Sequence, residues 1–265
     1  MRNSTKDIPI LKAKNLCIGY TSKNNQNCIA RNLNLELLQG QMVCLIGKNG
    51  IGKSTLLKTL SKTQVPLDGN IWLGGKKLSD IRAENLAKKM GLVLTERIPE
   101  SQLTVFEIIA LGRQPYTNWI GKLNTKDYEA IENAMKQVNI TELSTKKFNE
   151  LSDGQSQKVM IARVLAQNTE LIILDEPTAH LDLHHKIEVF KLLKRLVETT
   201  GKTILLSTHE VNLSLQIADS LWLMSENNFV TGSKKALIAS KEMERIFPKD
   251  QIFFCENTEQ FILKR

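Results

Sequence analysis

The chain has 265 residues, of which 42% are apolar and 24% are charged, and its formal net charge is +8. This composition is globular and excludes the disordered and fibrous classes, and the length allows one elaborate domain or two lobes. The positive charge lies in scattered lysine pairs rather than on one element with interleaved aromatics, which favours a solvated surface over a nucleic-acid site. Attraction to an anionic membrane face is the remaining alternative.

The cysteines indicate the redox state of the compartment, and the apolar runs indicate whether the chain itself could enter a membrane. Cys17, Cys28, Cys44 and Cys255 show neither metal-ligand spacing nor a paired framework, so a reducing compartment is expected. The first 14 residues lack the apolar segment of a signal peptide, and no apolar run approaches the ~20 residues that span a bilayer. A function at a membrane would therefore need a partner that supplies the membrane part.

The N-terminal region is predicted to be a small antiparallel β-region. Apolar residues alternate with polar ones within 11–16 and again within 30–37, which is the period of a half-exposed strand. Tyr20 closes the following stretch, 16–20, as an aromatic residue at the end of such a strand. Residues 69–73, followed by two glycines, predict a further strand and turn.

A phosphate-binding loop is predicted between a strand and a helix. The apolar run Met42–Ile46 predicts a buried strand, and a helical pattern begins at Lys53. The intervening glycines complete the pattern G-x-x-x-x-G-K-[ST], whose backbone N–H groups bind phosphate at the positive end of a helix dipole. Lys53 is expected to reach the β- and γ-phosphates and Ser54 to bind Mg²⁺. The predicted nucleoside triphosphate site comprises Gly47, Lys48, Asn49, Gly50, Ile51, Gly52, Lys53, Ser54 and Thr55.

A helical insert and then a parallel sheet are predicted in the rest of the chain. From about residue 96 to 166 the apolar period becomes helical, with helical stretches at 105–111, 130–138 and 157–166. Breaks fall at Pro115 and in the polar stretch that follows. Continuous apolar runs at 171–174, 203–206 and 221–224 are typical of parallel strands covered on both faces by helices. The last residues, 251–263, predict a hairpin.

Two further patterns carry chemistry. Asp175 and Glu176 end an apolar strand, where one acid suits Mg²⁺ and the next can act as a base for an attacking water. Ser152, Asp153, Gly154 and Gln155 precede a helix, and the simplest interpretation is a capping box formed by Ser152 and Gln155.

The pattern Ser152–Gln155, placed shortly before a strand that ends in Asp175 and Glu176, resembles the nucleotide-binding subunits of ABC transporters. The resemblance extends over about residues 8–232. It assigns Tyr20 to adenine stacking, Lys53 and its loop to the phosphates, Ser54 and Asp175 to Mg²⁺, Glu176 to the catalytic base, Ser152–Gln155 to the signature loop, Asp182 to the D-loop and His209 to the switch histidine. The segment 111–116 with Trp119 is similar to subunits that import iron–siderophore complexes, haem or cobalamin.

The chain departs from this family at two positions. Thr95 stands where the family has the Q-loop glutamine, so a hydroxyl replaces the longer amide, which places the coupling of Mg²⁺ sensing to transport in doubt. Asp153 replaces a common glycine in the signature loop, and aspartate tolerates tight turns.

The resemblance implies an α/β fold: a P-loop NTPase core with a mainly parallel sheet, an antiparallel β-subdomain and an inserted helical subdomain. It implies one ABC ATPase domain over 1–265, with a helical insert at about 96–166 and a C-terminal extension at about 233–265. The expected activity is ATP hydrolysis with Mg²⁺ that drives import.

The resemblance also implies the partners. Two copies are expected to form a head-to-tail homodimer, with each ATP between Lys53 of one copy and Ser152–Gln155 of the other. Permease subunits on separate chains bind this dimer at the cytoplasmic face of the cell membrane, a substrate-binding protein acts indirectly, and no nucleic acid is involved. The permease contact is expected around Thr95–Glu96 and Gly112–Trp119, unless Tyr116 and Trp119 are core residues of the insert. The alternative function is a soluble ABC-type ATPase of DNA repair or the ribosome, but the single nucleotide site and the lack of sustained heptads disfavour it.

Overall fold

The structure is a computed structural model that describes residues 9–21, 25–94, 101–226, 228–245 and 252–264. Its strands are β1 (Pro9–Thr21), β2 (Gln26–Leu38), β3 (Met42–Ile46), β4 (Asp68–Leu73), β5 (Lys76–Lys77), β6 (Met90–Val93), β7 (Leu171–Asp175), β8 (Thr203–Thr208), β9 (Ser220–Met224), β10 (Phe229–Gly232), β11 (Ile252–Cys255) and β12 (Gln260–Leu263). Its α-helices are α1 (Lys53–Leu60), α2 (Ala83–Ala87), α3 (Val105–Ala110), α4 (Thr125–Val138), α5 (Asp153–Ala166), α6 (Leu183–Thr200), α7 (Val211–Ile217) and α8 (Lys234–Ala239).

The chain divides into two compact units. The first unit consists of residues 1–81 and 203–265, and the second of residues 82–202. The mixed α/β architecture with parallel and antiparallel sheets confirms the predicted fold class. The prediction of a single domain, with an insert at 96–166 and an extension at 233–265, stays a prediction.

The antiparallel sheet of the first unit has the order β2-β1-β4-β5. The alternating stretches predicted from the sequence are parts of β1 and β2, which are 13 residues long each. The pairing of these two strands shifts register between Ala13 and Leu16, where Asn15 has a φ of 49°. Asparagine adopts this left-handed conformation more readily than most residues, so the irregularity interrupts the alternation without ending the strand.

The parallel strands of the first unit form its core. β3 lies between β8 and β9 and is parallel to both, while β10 pairs antiparallel with β9. Every residue of β3 and β8 is buried. Burial on both faces explains why these strands read as continuous apolar runs, and α1 begins at Lys53 as predicted.

The second unit contains the parallel pair β6 and β7 and the helices α2 to α6. The predicted helical region is present as α3, a 3₁₀ segment at Leu111–Tyr116, α4 and α5. α4 and α5 each begin a few residues earlier than the apolar pattern indicated. Each is extended at its start by a capping box, formed by Asn124 with Asp127 and by Ser152 with Gln155.

A buried arginine holds the 3₁₀ segment against its neighbours. The Arg113 guanidinium donates to the Asp127 carboxylate of α4 at 2.9 Å and to the Ala166 carbonyl of α5 at 2.6 Å. It also lies over the Tyr116 ring, 4.0 Å from the ring centroid. A Cβ on Gly112 would lie 2.1 Å from the Arg163 carbonyl oxygen, so only glycine allows this approach. Gly112 and Arg113 are therefore packing residues, whereas Trp119 is 93% exposed.

The cysteines and the C-terminal strands complete the first unit. β11 and β12 form the predicted hairpin, and Phe261 exchanges two hydrogen bonds with Asn212 of α7. All four cysteines are free thiols, but the Sγ atoms of Cys17 and Cys28 lie 2.9 Å apart across β1 and β2, a pair that the sequence did not indicate. Within the described part of the chain, none of the helices combines the length and hydropathy needed to cross a bilayer.

Candidate nucleotide-binding and catalytic site

The predicted phosphate loop lies between β3 and α1. A Cβ on Gly47 would lie 2.5 Å from the Met224 carbonyl oxygen at the end of β9, which explains why glycine occupies this position. Gly52 has a φ of 113° and precedes α1, and no side chain caps this helix start. Gly52 has no side chain that could cap the first N–H groups of α1, and N–H groups at a helix start suit an anion. Lys48, Asn49 and Gly50 form the exposed tip of the loop, and Ile51 and Ser54 are half-buried.

Lys53 and His209 are brought together at the carboxyl ends of adjacent parallel strands. β3 pairs with β8 so that Ile46 lies opposite Thr208. The loop that leads to Lys53 follows β3, and His209 follows β8 directly. The Lys53 side chain is only 4% exposed. Its ammonium donates to the carbonyls of Gly47 and Lys48 at 3.0 and 3.1 Å and lies 3.3 Å from Nε2 of His209. Since an ammonium can only donate, His209 accepts through Nε2 and carries its proton on Nδ1.

The Tyr20 ring lies beside the same helix. Its side chain is 52% exposed near the end of β1, and its hydroxyl lies 2.8 Å from Oγ1 of Thr55, which is buried in the first turn of α1. The hydroxyl contact fixes one end of the ring while a face stays available to solvent. This arrangement suits stacking on a flat base.

In the second unit, Asp175 and Glu176 lie at the end of β7. Asp175 is 4% exposed and is the last residue of the strand. Glu176 is half-buried and has a φ of 47°. A left-handed conformation costs a residue other than glycine of order 1 kcal/mol or more, and such strain is concentrated at functional sites. The strain supports a functional role for Glu176, and its assignment as the base stays a prediction.

The signature residues form the capping box that starts α5. The Ser152 hydroxyl accepts from the Gln155 N–H at 3.3 Å, and Oε1 of Gln155 accepts from the Ser152 N–H at 3.1 Å. Ser152 and Asp153 are exposed, whereas Gly154 is buried. The simplest interpretation of the sequence is thus correct for the local geometry, and it leaves Ser152 and Asp153 accessible to a ligand.

His185 is a residue of this region that the sequence analysis missed. Asp182 caps the start of α6 by accepting from the N–H of His185, and it also contacts the imidazole. The same ring packs against Gly154. The spacing Asp-x-x-His at a helix start was the available signal, because it places a second donor beside the capping carboxylate.

The Q-loop position and the Mg²⁺ site are two further expectations. Thr95 and Glu96 lie outside the described residues. Among the described residues, no group of three or more histidine, cysteine or acidic side chains could hold a metal ion. Each oxygen ligand considered by itself, the Asp175 carboxylate or the Ser54 hydroxyl, is of the kind that Mg²⁺ binds together with water and phosphate.

The comparison with known proteins decides the family. The ABC transporter family matches residues 30–179, more than half of the chain. The chain belongs to the ABC transporter family. A ferric enterobactin transport ATP-binding protein of Escherichia coli is 34% identical over 244 residues, which cover 92% of this chain and 89% of that protein. An uncharacterised ABC transporter ATP-binding protein of Methanocaldococcus jannaschii is 42% identical over 221 residues, covering 83% and 75%.

A solved structure extends this result to the fold. An ATP-binding cassette in a dimeric, post-hydrolysis state bound to ADP and Pi is 27% identical, with a TM-score of 0.73 over 84% of this chain and 98% of that one. The sequence-based family assignment is confirmed. The chain is an ATP-hydrolysing subunit that powers an ABC transporter, and this membership disfavours a role in DNA repair or on ribosomes.

Proposed function

We propose that this ABC ATPase powers the import of a metal-chelate cargo, of the iron–siderophore, haem or cobalamin type. The observation that carries the cargo class is the 34% identity to a ferric enterobactin transport ATP-binding protein, and the phosphate loop with its buried Lys53 supports the ATPase activity. A similar identity to an iron(3+)-hydroxamate import protein of Bacillus subtilis supports the same cargo class.

In the proposed reaction, the loop from Gly47 to Thr55 binds the triphosphate and Lys53 donates to its β- and γ-phosphates. Ser54 and Asp175 supply oxygen ligands for Mg²⁺, which neutralises phosphate charge when bound. Glu176 accepts a proton from a water whose oxygen attacks the γ-phosphorus, and the bond between this phosphorus and the ADP oxygen breaks. His209 orients the γ-phosphate from the end of β8.

The active form is proposed to be a head-to-tail homodimer. Ser152–Gln155 of one copy complete the site around the ATP held by Lys53 of the other copy. The exposed Ser152 and Asp153 support this role because they leave the start of α5 accessible. Asp182 of the D-loop lies at the start of α6 and is likewise exposed. Closing on ATP and reopening after hydrolysis would drive the permease.

The permease is proposed to contact the helical unit beside Trp119. A groove of about 570 Å³ is lined by Tyr116, Lys122, Leu123 and Tyr128, among others. Trp119 and Ile120 lie in the same loop and are exposed by 93% and 68%. Exposed apolar residues beside a groove are typical of a protein contact. A cytoplasmic loop of a separate permease chain is the proposed occupant, which places this chain at the cytoplasmic face of the membrane.

Purification and reconstitution test this proposal. Affinity purification from detergent-solubilised membranes of the source organism should recover an integral-membrane permease. Proteoliposomes of that complex, with ATP on the side of this chain, should accumulate one member of a panel of ⁵⁵Fe-siderophores, haem and cobalamin. The matched complex with Lys53→Ala should not. Recovery of ribosomes or nucleic acid in place of a permease, or no accumulation of any cargo, would contradict the proposal.

A further inference from the structure

One histidine lies between the starts of two helices that carry predicted functional loops. α5 begins after Ser152 in the signature loop, and α6 begins after Asp182 in the D-loop. Both helices belong to the second unit. His185 is in the first turn of α6 and contacts both loops.

The Asp182 carboxylate fixes the orientation of His185. The backbone N–H of His185 donates to Oδ1 at 2.9 Å, and the ring Nδ1 lies 2.9 Å from both carboxylate oxygens. The ring thus donates from Nδ1, because an ionised carboxylate only accepts. The backbone and ring hydrogen bonds from His185 hold the pKa of Asp182 below its usual value, so the acceptor stays ionised at neutral pH.

The opposite edge of the ring packs against Gly154. A Cβ on Gly154 would lie 2.6 Å from Cδ2 of His185 and 3.2 Å from Cγ and Nε2. No side chain larger than hydrogen fits there unless the ring moves. Because Nδ1 of the ring donates to Asp182, such a movement would break this hydrogen bond, which orients the D-loop carboxylate.

A second bridge joins the same helices farther along. Lys158 of α5 forms an ion pair with Glu188 of α6 at 3.0 Å, and Nε2 of His184 lies 3.4 Å from Glu188. This bridge joins the helices through Lys158 and Glu188, which lie four residues after Gly154 and six residues after Asp182. Removing this ion pair therefore tests whether any weakening of the packing between α5 and α6, rather than loss of the His185 contacts, affects the dimer.

We propose that His185 is a positioning residue that sets the spacing between the signature loop and the D-loop, so that both loops meet the other copy's ATP together. This inference rests on the proposed homodimer. His185 acts through Gly154 and Asp182 and does not touch the nucleotide. Its loss should weaken closure of the dimer while the binding of ATP to the loop of Lys53 stays unchanged.

ATP-dependent dimerisation in the Glu176→Gln background provides the test. Adding His185→Ala should raise the ATP concentration for half-maximal dimer, measured by light scattering after size exclusion, by about tenfold or more, since small displacements of positioned groups have effects of this size. Binding of a fluorescent ATP analogue to the monomer should change less than about twofold, because the loop of Lys53 is intact. Lys158→Ala is the matched control and should dimerise like the parent.

A double-mutant cycle identifies the contact. Gly154→Ala alone should impair dimerisation because its methyl group displaces the ring, but it should add little in a chain that already carries His185→Ala. If His185→Ala does not fold, His185→Asn keeps a donor for Asp182, removes the ring and should show the same defect. Normal dimerisation of the His185 variants, additive effects in the cycle, or an equal loss in Lys158→Ala would overturn the inference. Failure of the Glu176→Gln parent to dimerise would instead overturn the proposed function, and the inference with it.

Discussion

The hydroxyl of Tyr20 lies 2.8 Å from Oγ1 of Thr55, so the aromatic ring near the end of β1 is tied to the first turn of α1. One contact thus joins the proposed base-stacking residue to the phosphate-binding helix. Because Thr55 is buried and Tyr20 is half-exposed to solvent, the contact orients the ring without covering both of its faces. Changes at Tyr20 can therefore separate stacking from anchoring.

Tyr20→Ala should lower ATP affinity by about tenfold to a hundredfold, because base–aromatic stacking contributes ~1–3 kcal/mol. Tyr20→Phe keeps the ring and loses one hydroxyl hydrogen bond, which contributes about 0.5–1.5 kcal/mol. Its affinity loss should therefore stay below about tenfold. Isothermal titration with ATP measures the affinities of both variants. An affinity unaltered in Tyr20→Ala would mean that the ring does not stack on the base.

Glu176→Gln should reduce ATP turnover by ~10²-fold or more, the size expected for loss of a positioned base. Glutamine preserves the shape of the side chain and tolerates the same left-handed backbone about as well, so ATP binding should persist. Phosphate release and nucleotide titration measure the two properties. Glu129→Gln, at an exposed position on α4, is the control and should hydrolyse ATP like the wild type. Turnover close to wild type in Glu176→Gln would remove Glu176 from the mechanism.

Asp127→Asn should destabilise the second unit by about 3–5 kcal/mol, because it leaves the buried Arg113 guanidinium without its charged partner. Lys136→Ala removes an exposed pair with Glu132 and should cost no more than about 0.5 kcal/mol. Urea unfolding followed by circular dichroism measures both free energies. Equal losses in the two variants would show that the buried pair does not stabilise this unit.

The same pair predicts how stability depends on pH. Burial alone would raise the pKa of Asp127, but hydrogen bonds from Asn124 and Arg113 and the charge of Arg113 outweigh it and hold the pKa below its usual value. A folded-state pKa below the unfolded one means that the stabilisation is present at neutral pH and is lost as pH falls through the folded-state pKa. Asp127→Asn should therefore lose less stability on acidification than the wild type.

The cysteines should differ in reactivity. Burial and the hydrogen bond with Cys28 raise the pKa of Cys17 to about 11, whereas hydrogen bonds from Thr258 lower the pKa of Cys255. Since the thiolate is the nucleophile, iodoacetamide at pH 8 should modify Cys255 before Cys17. Peptide mass spectrometry over a time course identifies the order, and Cys255→Ser should remove the early product. Earlier labelling of Cys17 would contradict this prediction.

Much of the fold followed from local patterns. The strand Met42–Ile46 and the helix start at Lys53 were predicted because glycines separate a continuous apolar run from a helical one. The length of β1 was not, because Asn15 breaks the alternation where the strand itself continues. The early start of α4 was missed because its first turn is stabilised by the capping box of Asn124 and Asp127 rather than by apolar spacing, whereas the capping pattern of Ser152 and Gln155 indicated the start of α5.

The sequence predicts which residues belong to the candidate site, and these assignments stay predictions; it did not predict the contacts between the residues. The motifs indicated Lys53, His209 and Asp182, because the residues next to each of them in the sequence match a motif of the family. The contacts between Lys53 and His209, and between His185 and Gly154, join segments that are distant in sequence. Such pairs depend on strand register and helix packing, which one sequence does not specify.

The neighbours of β3 have a consequence for how the protein is made. β3 pairs with β8 and β9, for example Met42 with Ile204 and Val43 with Ser220, and the whole second unit is synthesised between them. At about 5–20 residues per second, β3 leaves the ribosome on the order of ten seconds before its partners exist. During this time, its five apolar residues and both unpaired edges are open to chaperones and to aggregation. Nucleotide affinity should consequently arise late in translation, when β8 and β9 emerge and hold the loop at Gly47 in place.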